Sequence, residues 1–480
     1  VRLPLAGVGG AFGAREDLSM HVHLCMLAMH TGRPVKMVYS REESFHGHVH
    51  RHPARMWYRH HADRDGTLVR VEARLLLDGG AYASSSSAVI ANATCFAAGP
   101  YRVPSADIDG VVVRTNNPPC GAMRGFGAVQ TCFAHEAQMD LLAGALGMDP
   151  VELRLRNVLA TGDRLVTGQA ITGTAPGAEV IRTCVDHPSA ASIAEDPMAL
   201  PGGAGRTADP AHVVRGEALA VGFKNLMFSE GFDDYSSAAC RLADGVATIT
   251  CACAEVGQGF VTLVQQIAHE VLGAQEVVLE PASTETIGSA GSTSASRQTW
   301  MSGGAVQKAC EEVRARLLAR VADEHGVELD GLVLVDGLVA SLTGDLEVDL
   351  VSATSDPIHA EVEFRHAPTS PLDEDGQGDA HVSFAFSAHR AIVDVDVGLG
   401  LVKVVELTTS QDVGRVLNPV QVVGQLEGGA AQGVGLAVME EVQLSDGRIR
   451  NASFTDYLVP TALDMPPVEI AALIEQPEPG

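Results

Sequence analysis

The chain has 480 residues, with 33 Lys+Arg against 60 Asp+Glu and a formal net charge of −27. Its 46% share of hydrophobic residues excludes wholesale disorder, and its length predicts two or more domains or lobes. The acidic surplus repels phosphate groups, so nucleic acid and anionic membrane surfaces are not expected partners. No run of 18 apolar residues occurs, so we expect no membrane-spanning helix.

The cysteines and the chain ends carry two further expectations. Nine cysteines are too sparse for a disulfide scaffold and are odd in number, which favours buried thiols in a reducing cytoplasm. They lack the spacings that hold an iron–sulfur cluster. The chain starts at Val1 with no secretory signal in view, and it stops in a turn-like Pro-Glu-Pro-Gly480, so a chain cut at both ends is expected.

The first part of the chain, 1–185, is predicted to form one lobe of mixed helices and strands. Helical spacing of apolar residues and the Asp149-Pro150 start signal predict helices over 16–30, over 131–146 and from 150 onward. Strands are predicted over 35–39, 68–77 and 111–114.

A linker over 186–213 is predicted from its Pro, Gly, Ala, Ser and Asp residues, which lack periodicity. A second lobe, 214–480, follows. Its predicted strands are 246–253, 381–386, 391–397 and 402–408, and its predicted helices are 261–272, 305–324 and 420–442. The fold class is therefore mixed α+β, which we expect as two elongated lobes with a ligand between them.

The 50 glycines cluster in places where a strand-like segment meets a helix-like one. Glycine there lets backbone N–H groups approach a ligand, and helix N-termini favour anions. Neither a G-x-G-x-x-G motif after a strand nor a Walker lysine motif occurs, so an ordinary dinucleotide or P-loop site is not supported. Several such loops together predict a large, buried, phosphate-bearing cofactor. The clusters are Gly7–Gly13, Gly121–Gly127, Gly257–Gly259, Gly288–Gly291 and Gly424–Gly435.

Glu427 is the strongest local anomaly, because it is a carboxylate among small residues in an apolar helix. Such a group either has a buried partner or does chemistry, and residue type leaves both open. Glu16 likewise reads as a helix cap or as a site residue. The alternating His46, His48, His50 and His52 suit a metal on one strand face, although a solvated or interface segment is favoured.

Five motifs, in order, resemble the molybdenum-binding large subunit of the xanthine dehydrogenase and aldehyde oxidase family. The resemblance covers Gly9 to about Pro479 and is strongest to bacterial D-type subunits. The motifs are GGAFGARED (Gly9–Asp17), AMRGFG (Ala122–Gly127), EVGQG (Glu255–Gly259), QDVGRVLNP (Gln411–Pro419) and GQLEGGAAQGVG (Gly424–Gly435).

The resemblance implies a molybdopterin dinucleotide with molybdenum, and a cytoplasmic oxidoreductase that hydroxylates a purine such as hypoxanthine or xanthine with water as oxygen source. Glu427 matches the family's general base, which takes the proton of a Mo–OH group while hydride passes to Mo=S. The small residues around it are expected to keep it dry. Partner subunits would carry 2Fe-2S and FAD in a dimer of heterotrimers.

The other site residues follow from the resemblance one at a time. The residues matching cofactor contacts are Phe12, Gly13, Arg124, Gln258, Gly259, Ala295, Ser296 and Gln425. Backbone amides near the metal are those of Phe12, Arg124 and Ala295. The residues matching substrate contacts are Glu16, Asn92, Phe126, Phe228 and Ser229.

Asn92 departs from the family, because it stands where animal xanthine oxidases have a substrate-gripping arginine. Loss of that charge weakens the case for a purine. Oxidation of an aldehyde or another N-heterocycle is therefore kept as an alternative, as is a non-catalytic remnant of the fold.

Overall fold

A computed structural model of the chain describes residues 2–4, 7–189, 192–203, 206–228, 230–281, 283–285, 287–289 and 291–476. The predicted mixture of helices and strands is confirmed. No helix in these ranges combines the length and apolar character needed to cross a bilayer.

The helices are as follows, with short 3-10 turns omitted: α1 His21–Thr31, α2 Arg41–Gly47, α3 Ser86–Cys95, α4 Ala128–Leu146, α5 Pro150–Asn157, α6 Gly177–Asp186, α7 Phe260–Leu272, α8 Ala295–Arg297, α9 Gly303–His325, α10 Leu350–Ala353 and α11 Pro419–Val438. A single π-helical turn, Gln298–Ser302, joins α8 to α9.

The strands are β1 Ala54–Ala62, β2 Leu68–Gly80, β3 Ser105–Arg114, β4 Val213–Leu226, β5 Tyr235–Ala243, β6 Val246–Cys251, β7 Glu276–Leu279, β8 Leu332–Val335, β9 Leu338–Ser341, β10 Glu347–Asp349, β11 Ile358–Arg365, β12 Ser383–Asp396, β13 Leu401–Asp412, β14 Leu444–Ser445, β15 Arg448–Ile449 and β16 Val468–Ile474. They form sheets in the orders β1-β2-β3, β10-β9-β8, β11-β5-β6-β7, β16-β13-β12-β4 and β14-β15.

Two large hydrophobic cores organise these layers. One lies between the β11-β5-β6-β7 sheet and the helices α7 and α9. The other packs α6 and Phe96 against Phe223 and Phe386 of the β16-β13-β12-β4 sheet. This second core joins residues from both sides of the predicted linker. Between the end of α6 at Asp186 and the start of β4 at Val213, the described residues of that linker form only two short 3-10 turns. The predicted lobe boundaries stay a prediction.

Several predicted elements differ from the structure. The first helix begins at His21, not at 16, and the predicted strand over 35–39 is absent from the sheets of the described residues. The two strands predicted at 381–386 and 391–397 are one strand, β12, in which buried residues, Arg390 and Asp394 among them, alternate with partly exposed ones without a break. The helix predicted to 442 ends at Val438, where Met439 leaves the helical conformation.

A buried charged network links α4, α5 and β4. The Glu136 carboxylate accepts hydrogen bonds from the Arg154 guanidinium (2.8 Å), the Tyr101 hydroxyl (2.5 Å) and the Val221 backbone N–H (2.8 Å). Burial alone would raise the pKa of Glu136, but contacts with His135, Arg154 and Tyr101 outweigh it and lower that pKa to about 2. The network therefore needs an ionised Glu136.

Glu136→Gln should lower the free energy of unfolding by about 3 kcal/mol, because the buried Arg154 charge then keeps only the partly exposed Asp140 as counter-ion. Urea titration at pH 7 measures this loss. The matched control, Glu152→Gln, removes an exposed pair with Arg156 on one helix and should cost at most about 0.5 kcal/mol.

The pH dependence gives a second readout of the same network. Because the folded-state pKa of Glu136 lies below its ordinary value of 4.5, the carboxylate contributes stability above that value, and this is lost as the pH falls towards about 2. The stability difference between wild type and Glu136→Gln should therefore shrink between these two pH values. A difference that stays constant to pH 2 would contradict the assignment.

Candidate functional site

The glycine-rich segments, far apart in the sequence, lie together in the structure. The Gly10 backbone N–H donates to the carbonyl of Val256 (3.0 Å), which joins the Gly9–Asp17 segment to the Glu255–Gly259 segment. The Arg124 N–H donates to the Phe12 carbonyl (2.8 Å) and adds the Ala122–Gly127 segment. Gly13 packs so closely on Ala122 that an added Cβ would lie 3.0 Å from its carbonyl.

The hydroxyl-rich loop Gly291–Ser296, which leads into α8, lies against the same cluster. The Thr293 hydroxyl accepts the Ala254 N–H (3.0 Å), and the Ser292 hydroxyl donates to the Glu16 carboxylate (3.4 Å). The Ser296 carbonyl accepts the Met227 N–H (3.2 Å), which places the Phe228 turn beside the same loop.

Arg124 ties the cluster to α11. Its guanidinium donates to the Gln425 carbonyl (2.9 Å) and to the Gln432 side chain (3.2 Å), with Gly429 between them. A side chain at Gly429 would lie 3.3 Å from this guanidinium, so the small residue permits the close approach. One side chain therefore bridges the Ala122–Gly127 segment and the last of the five motifs.

Backbone strain concentrates at the same place. Among the described residues, three non-glycine residues with positive φ occupy Asp-Gly hairpin turns, where this conformation is ordinary. The others cost about 1–3 kcal/mol each, and such strain gathers at functional sites. They are Phe12, Tyr82, Ser84, Phe126, Met227 and Glu230.

Glu427 lies on the α11 turn that Arg124 holds, but it is exposed. The expectation that small neighbours keep its carboxylate dry is wrong, because only Val434 and Gly435 of α11 are buried. Small residues leave room around the carboxylate without covering it. A general base at this position therefore requires that a bound cofactor and substrate exclude water from it.

Glu16 lies before α1 and does not cap it, so the capping interpretation is wrong. Its side chain is solvent-accessible but flanked by protein, and this partial burial raises its pKa, with the nearby Asp17 charge adding to the rise. The hydrogen bond from Ser292 acts in the opposite direction. Glu16 is therefore poised to accept or hold a proton at the edge of the cluster.

The Glu255–Gly259 segment is more self-contained than its sequence predicts. The Glu255 carboxylate accepts the N–H groups of Gly257 (2.7 Å), Gly259 (3.2 Å) and Val261 (3.0 Å). Burial raises the pKa of Glu255, but these backbone hydrogen bonds outweigh it and lower the pKa overall. Glycine at the N-cap position of α7 has no side chain to cap the helix, so the Glu255 carboxylate provides the cap instead. The N–H of Gly259 is therefore already hydrogen-bonded.

Two other predicted contacts are also partly used within the protein. The Gln258 amide donates to the Ala254 carbonyl and accepts the Val256 N–H, which leaves one N–H for a ligand. The Arg124 N–H, predicted to face the metal ligands, is instead taken by Phe12. Ala295 is exposed at the start of α8, and Gln425 holds Arg124.

The structure gives different surroundings to the predicted substrate residues Asn92 and Phe228. Asn92 is buried, and its amide donates to the Phe126 carbonyl (2.6 Å), so it positions this aromatic residue rather than offering a free polar group. Phe228 lies under the Arg297 guanidinium, 5.6 Å from the ring centre. Ser229 lies outside the described residues.

Arg297 is a site residue that the sequence analysis missed. It is fully buried, pairs with Asp234 (2.7 Å) and donates to the Ser292 carbonyl (2.7 Å). Gly291 packs against it, which explains why the loop is glycine there. In the sequence, the feature that could have identified Arg297 as a site residue is a single arginine directly after a run of small hydroxyl residues.

The histidine run is structural. His48 and His52 are buried whereas His46 is exposed, so the segment is not solvated throughout, and its residues lie in a helix, a β-bridge and coil rather than on one strand face. The interface alternative stays a prediction. The His48 ring contacts the Arg15 guanidinium (3.2 Å), and the His52 ring contacts the Ser86 hydroxyl (2.8 Å). Over the described ranges, no three His, Cys, Asp or Glu side chains lie together as a metal site.

Two regions of the chain match the family described as molybdopterin cofactor-binding domain, residues 1–158 and residues 203–466. The chain is also 32% identical over 480 residues to a Bacillus subtilis strain 168 protein named as a probable xanthine dehydrogenase subunit, covering 98% of this chain. The chain belongs to the molybdenum-binding large subunits of the xanthine dehydrogenase and aldehyde oxidase family. It spans 62% of the length of that relative.

Other members of this large-subunit family act on different substrates by name. "Nicotinate dehydrogenase large molybdopterin subunit" of Eubacterium barkeri is 47% identical over 171 residues, which cover 36% of this chain and 40% of that one. The structure of quinoline 2-oxidoreductase from Pseudomonas putida 86 superposes with a TM-score of 0.82 at 26% identity, covering all of this chain and 62% of that one. Aldehyde oxidoreductase from Desulfovibrio gigas gives 0.80 at 27%, covering all of this chain and 49% of that one.

The residues present fit a molybdopterin cofactor. The N–H groups of Phe12 and Gly13 have no acceptor among the described residues, and a Cβ at Gly424 or Gly428 would meet no protein atom. The Arg124 guanidinium has only neutral partners, so its charge is available to an anion. These donors and bare backbones suit a phosphate-bearing group.

Arg124→Met should loosen α11 from the cluster, because the guanidinium provides its hydrogen bonds to Gln425 and Gln432. We expect amide hydrogen exchange over 419–438 to quicken about tenfold, from the loss of two net hydrogen bonds. Exchange mass spectrometry of the full-length protein measures it. Arg316→Met, which removes an exposed pair with Glu312, should leave these peptides unchanged.

Proposed function

We propose that this chain is the catalytic subunit of a molybdenum hydroxylase that oxidises a purine such as hypoxanthine. The observation that carries the proposal is the convergence of glycine-rich segments on one cluster, with Glu427 on the α11 turn held by Arg124. Family membership supports the reaction class, and the Bacillus subtilis relative, by its name, supports the substrate.

The bound cofactor would supply the oxidising metal centre and activate water as the oxygen source. The residues that would hold it are Phe12 and Gly13 through backbone N–H groups, Gln258 through its free N–H, and Arg124 through its charge. Glu427 would take a proton at its carboxylate as substrate enters. Phe126 and Phe228 would orient the flat substrate ring, and Glu16 would hydrogen-bond its edge.

The proposed partners are an iron–sulfur subunit and an FAD subunit, which would carry electrons away from the site. The word "subunit" in the names of relatives supports assembly into a larger complex. We propose a dimer of heterotrimers.

Oxidation of an aldehyde or another N-heterocycle is the second candidate. The absence of a charged residue at Asn92 and the match to quinoline 2-oxidoreductase and aldehyde oxidoreductase favour it. Steady-state rates with hypoxanthine, quinoline and benzaldehyde rank the candidates, and a preference for benzaldehyde would reverse our order.

Glu427→Gln should reduce turnover by about 10²–10⁴-fold, because the amide cannot accept the proton. Molybdenum and pterin contents, measured by mass spectrometry and fluorescence, should stay at the wild-type level. The control Glu441→Gln removes an exposed carboxylate just beyond α11 and should keep the wild-type rate.

Wild-type turnover by Glu427→Gln would refute the general-base role. A full-length complex that contains neither molybdenum nor pterin would instead support the non-catalytic alternative.

A further inference from the structure

Glu230 occupies a strained turn beside the proposed aromatic pair. It follows Phe228 by two residues and has a φ of 61°, which an L-residue rarely adopts. Its backbone N–H donates to the Ala380 carbonyl (2.8 Å), while Met227 at the start of the turn is tied to Ser296. The turn is thus anchored at both ends, which fixes where the Glu230 side chain begins.

The Glu230 carboxylate is partly buried and has no hydrogen bond or ion pair among the described residues. Burial raises its pKa. It lies near the Cys95 thiol, whose pKa is raised to about 12 by burial first and by the Glu230 charge second. An unpaired acid in a partly buried place costs stability, and a ligand with a hydrogen-bond donor would offset that cost.

Cys95 locates this carboxylate relative to the site. It ends α3 one turn after Asn92, and Asn92 holds the Phe126 carbonyl at 2.6 Å. Glu230 therefore lies where the Phe228 turn approaches the α3 end that positions Phe126. The ring of Phe228 also contacts Phe232 edge-on at 5.1 Å, which folds the turn back on itself.

The free charge beside the Phe228 turn is that of Glu230; the cations nearby are Arg124, assigned above to the cofactor, and Lys224, whose ammonium contacts Asn225. Arg297 faces Phe228, but Asp234 neutralises it at 2.7 Å. Glu16 adds a second carboxylate at the edge of the cluster. A substrate that carries its own carboxylate would therefore meet like charge on entry.

We propose that Glu230 determines substrate charge: it rejects substrates bearing a carboxylate and favours neutral N-heterocycles that present a hydrogen-bond donor. The inference rests on the proposed function, because it assumes that Phe126 and Phe228 hold the substrate ring.

Nicotinate and nicotinamide test the proposal, because they have nearly the same shape and differ in charge at pH 8. Their dissociation constants are measured by anaerobic titration of the intact full-length complex after reduction with dithionite, so that no oxidised centre remains to turn the ligand over. Wild type should bind nicotinamide more tightly. Glu230→Gln should tighten nicotinate binding about tenfold and change nicotinamide binding less than about twofold.

The matched control is Glu276→Gln, which removes the same charge from an exposed position at the far end of the β6–β7 pair and should change neither constant. Equal shifts of both ligands in Glu230→Gln, or no shift, would overturn the proposal. Tighter wild-type binding of nicotinate would overturn it as well. Failure of the proposed function would be seen in different measurements, namely the turnover of the wild type and of the Glu427→Gln variant.

Discussion

The site depends on Arg124, which joins parts of the chain that are about 300 residues apart. Its backbone N–H holds Phe12 and its guanidinium holds Gln425, so one residue connects the first glycine-rich segment to the last helix. The guanidinium is suited to this because it donates in several directions from one rigid plane. Everything proposed for Glu427 assumes that this bridge keeps α11 against the cluster.

The electrostatics of the cluster are divided between two kinds of group. Glu255 and Arg297 have partners and serve to shape loops, and their charges are satisfied within the protein. Glu16, Glu230 and Glu427 are the acids left to meet a ligand. None of these three forms an ion pair among the described residues, although Glu16 accepts a hydrogen bond from Ser292 and Glu427 is exposed, so their carboxylates can meet a ligand directly.

Much of the fold was predictable because its strands alternate and several helices carry a start or stop signal in the sequence. Asp149 caps α5 as expected, and Gly147 ends α4. The start of α1 was misplaced because apolar residues at helical spacing continue upstream of it, although none of the α1 side chains is buried. Periodicity finds a helix that has an apolar face, whether or not that face is packed.

The site was only half predictable. Motif order correctly brought Phe12, Arg124 and Gln425 together, whereas the exposure of Glu427 depends on what lies across from it in space.

Helix α6, Gly177–Asp186, lies between the two regions that match the family, yet it packs on β12, β13 and β16. Its Val180, Ile181 and Cys184 are completely enclosed. Helix α6 is therefore part of the packed core of the C-terminal sheet and not a flexible linker. If the gene were divided at this point, the C-terminal product would lack α6, and each product would expose an apolar surface that is buried in the intact chain.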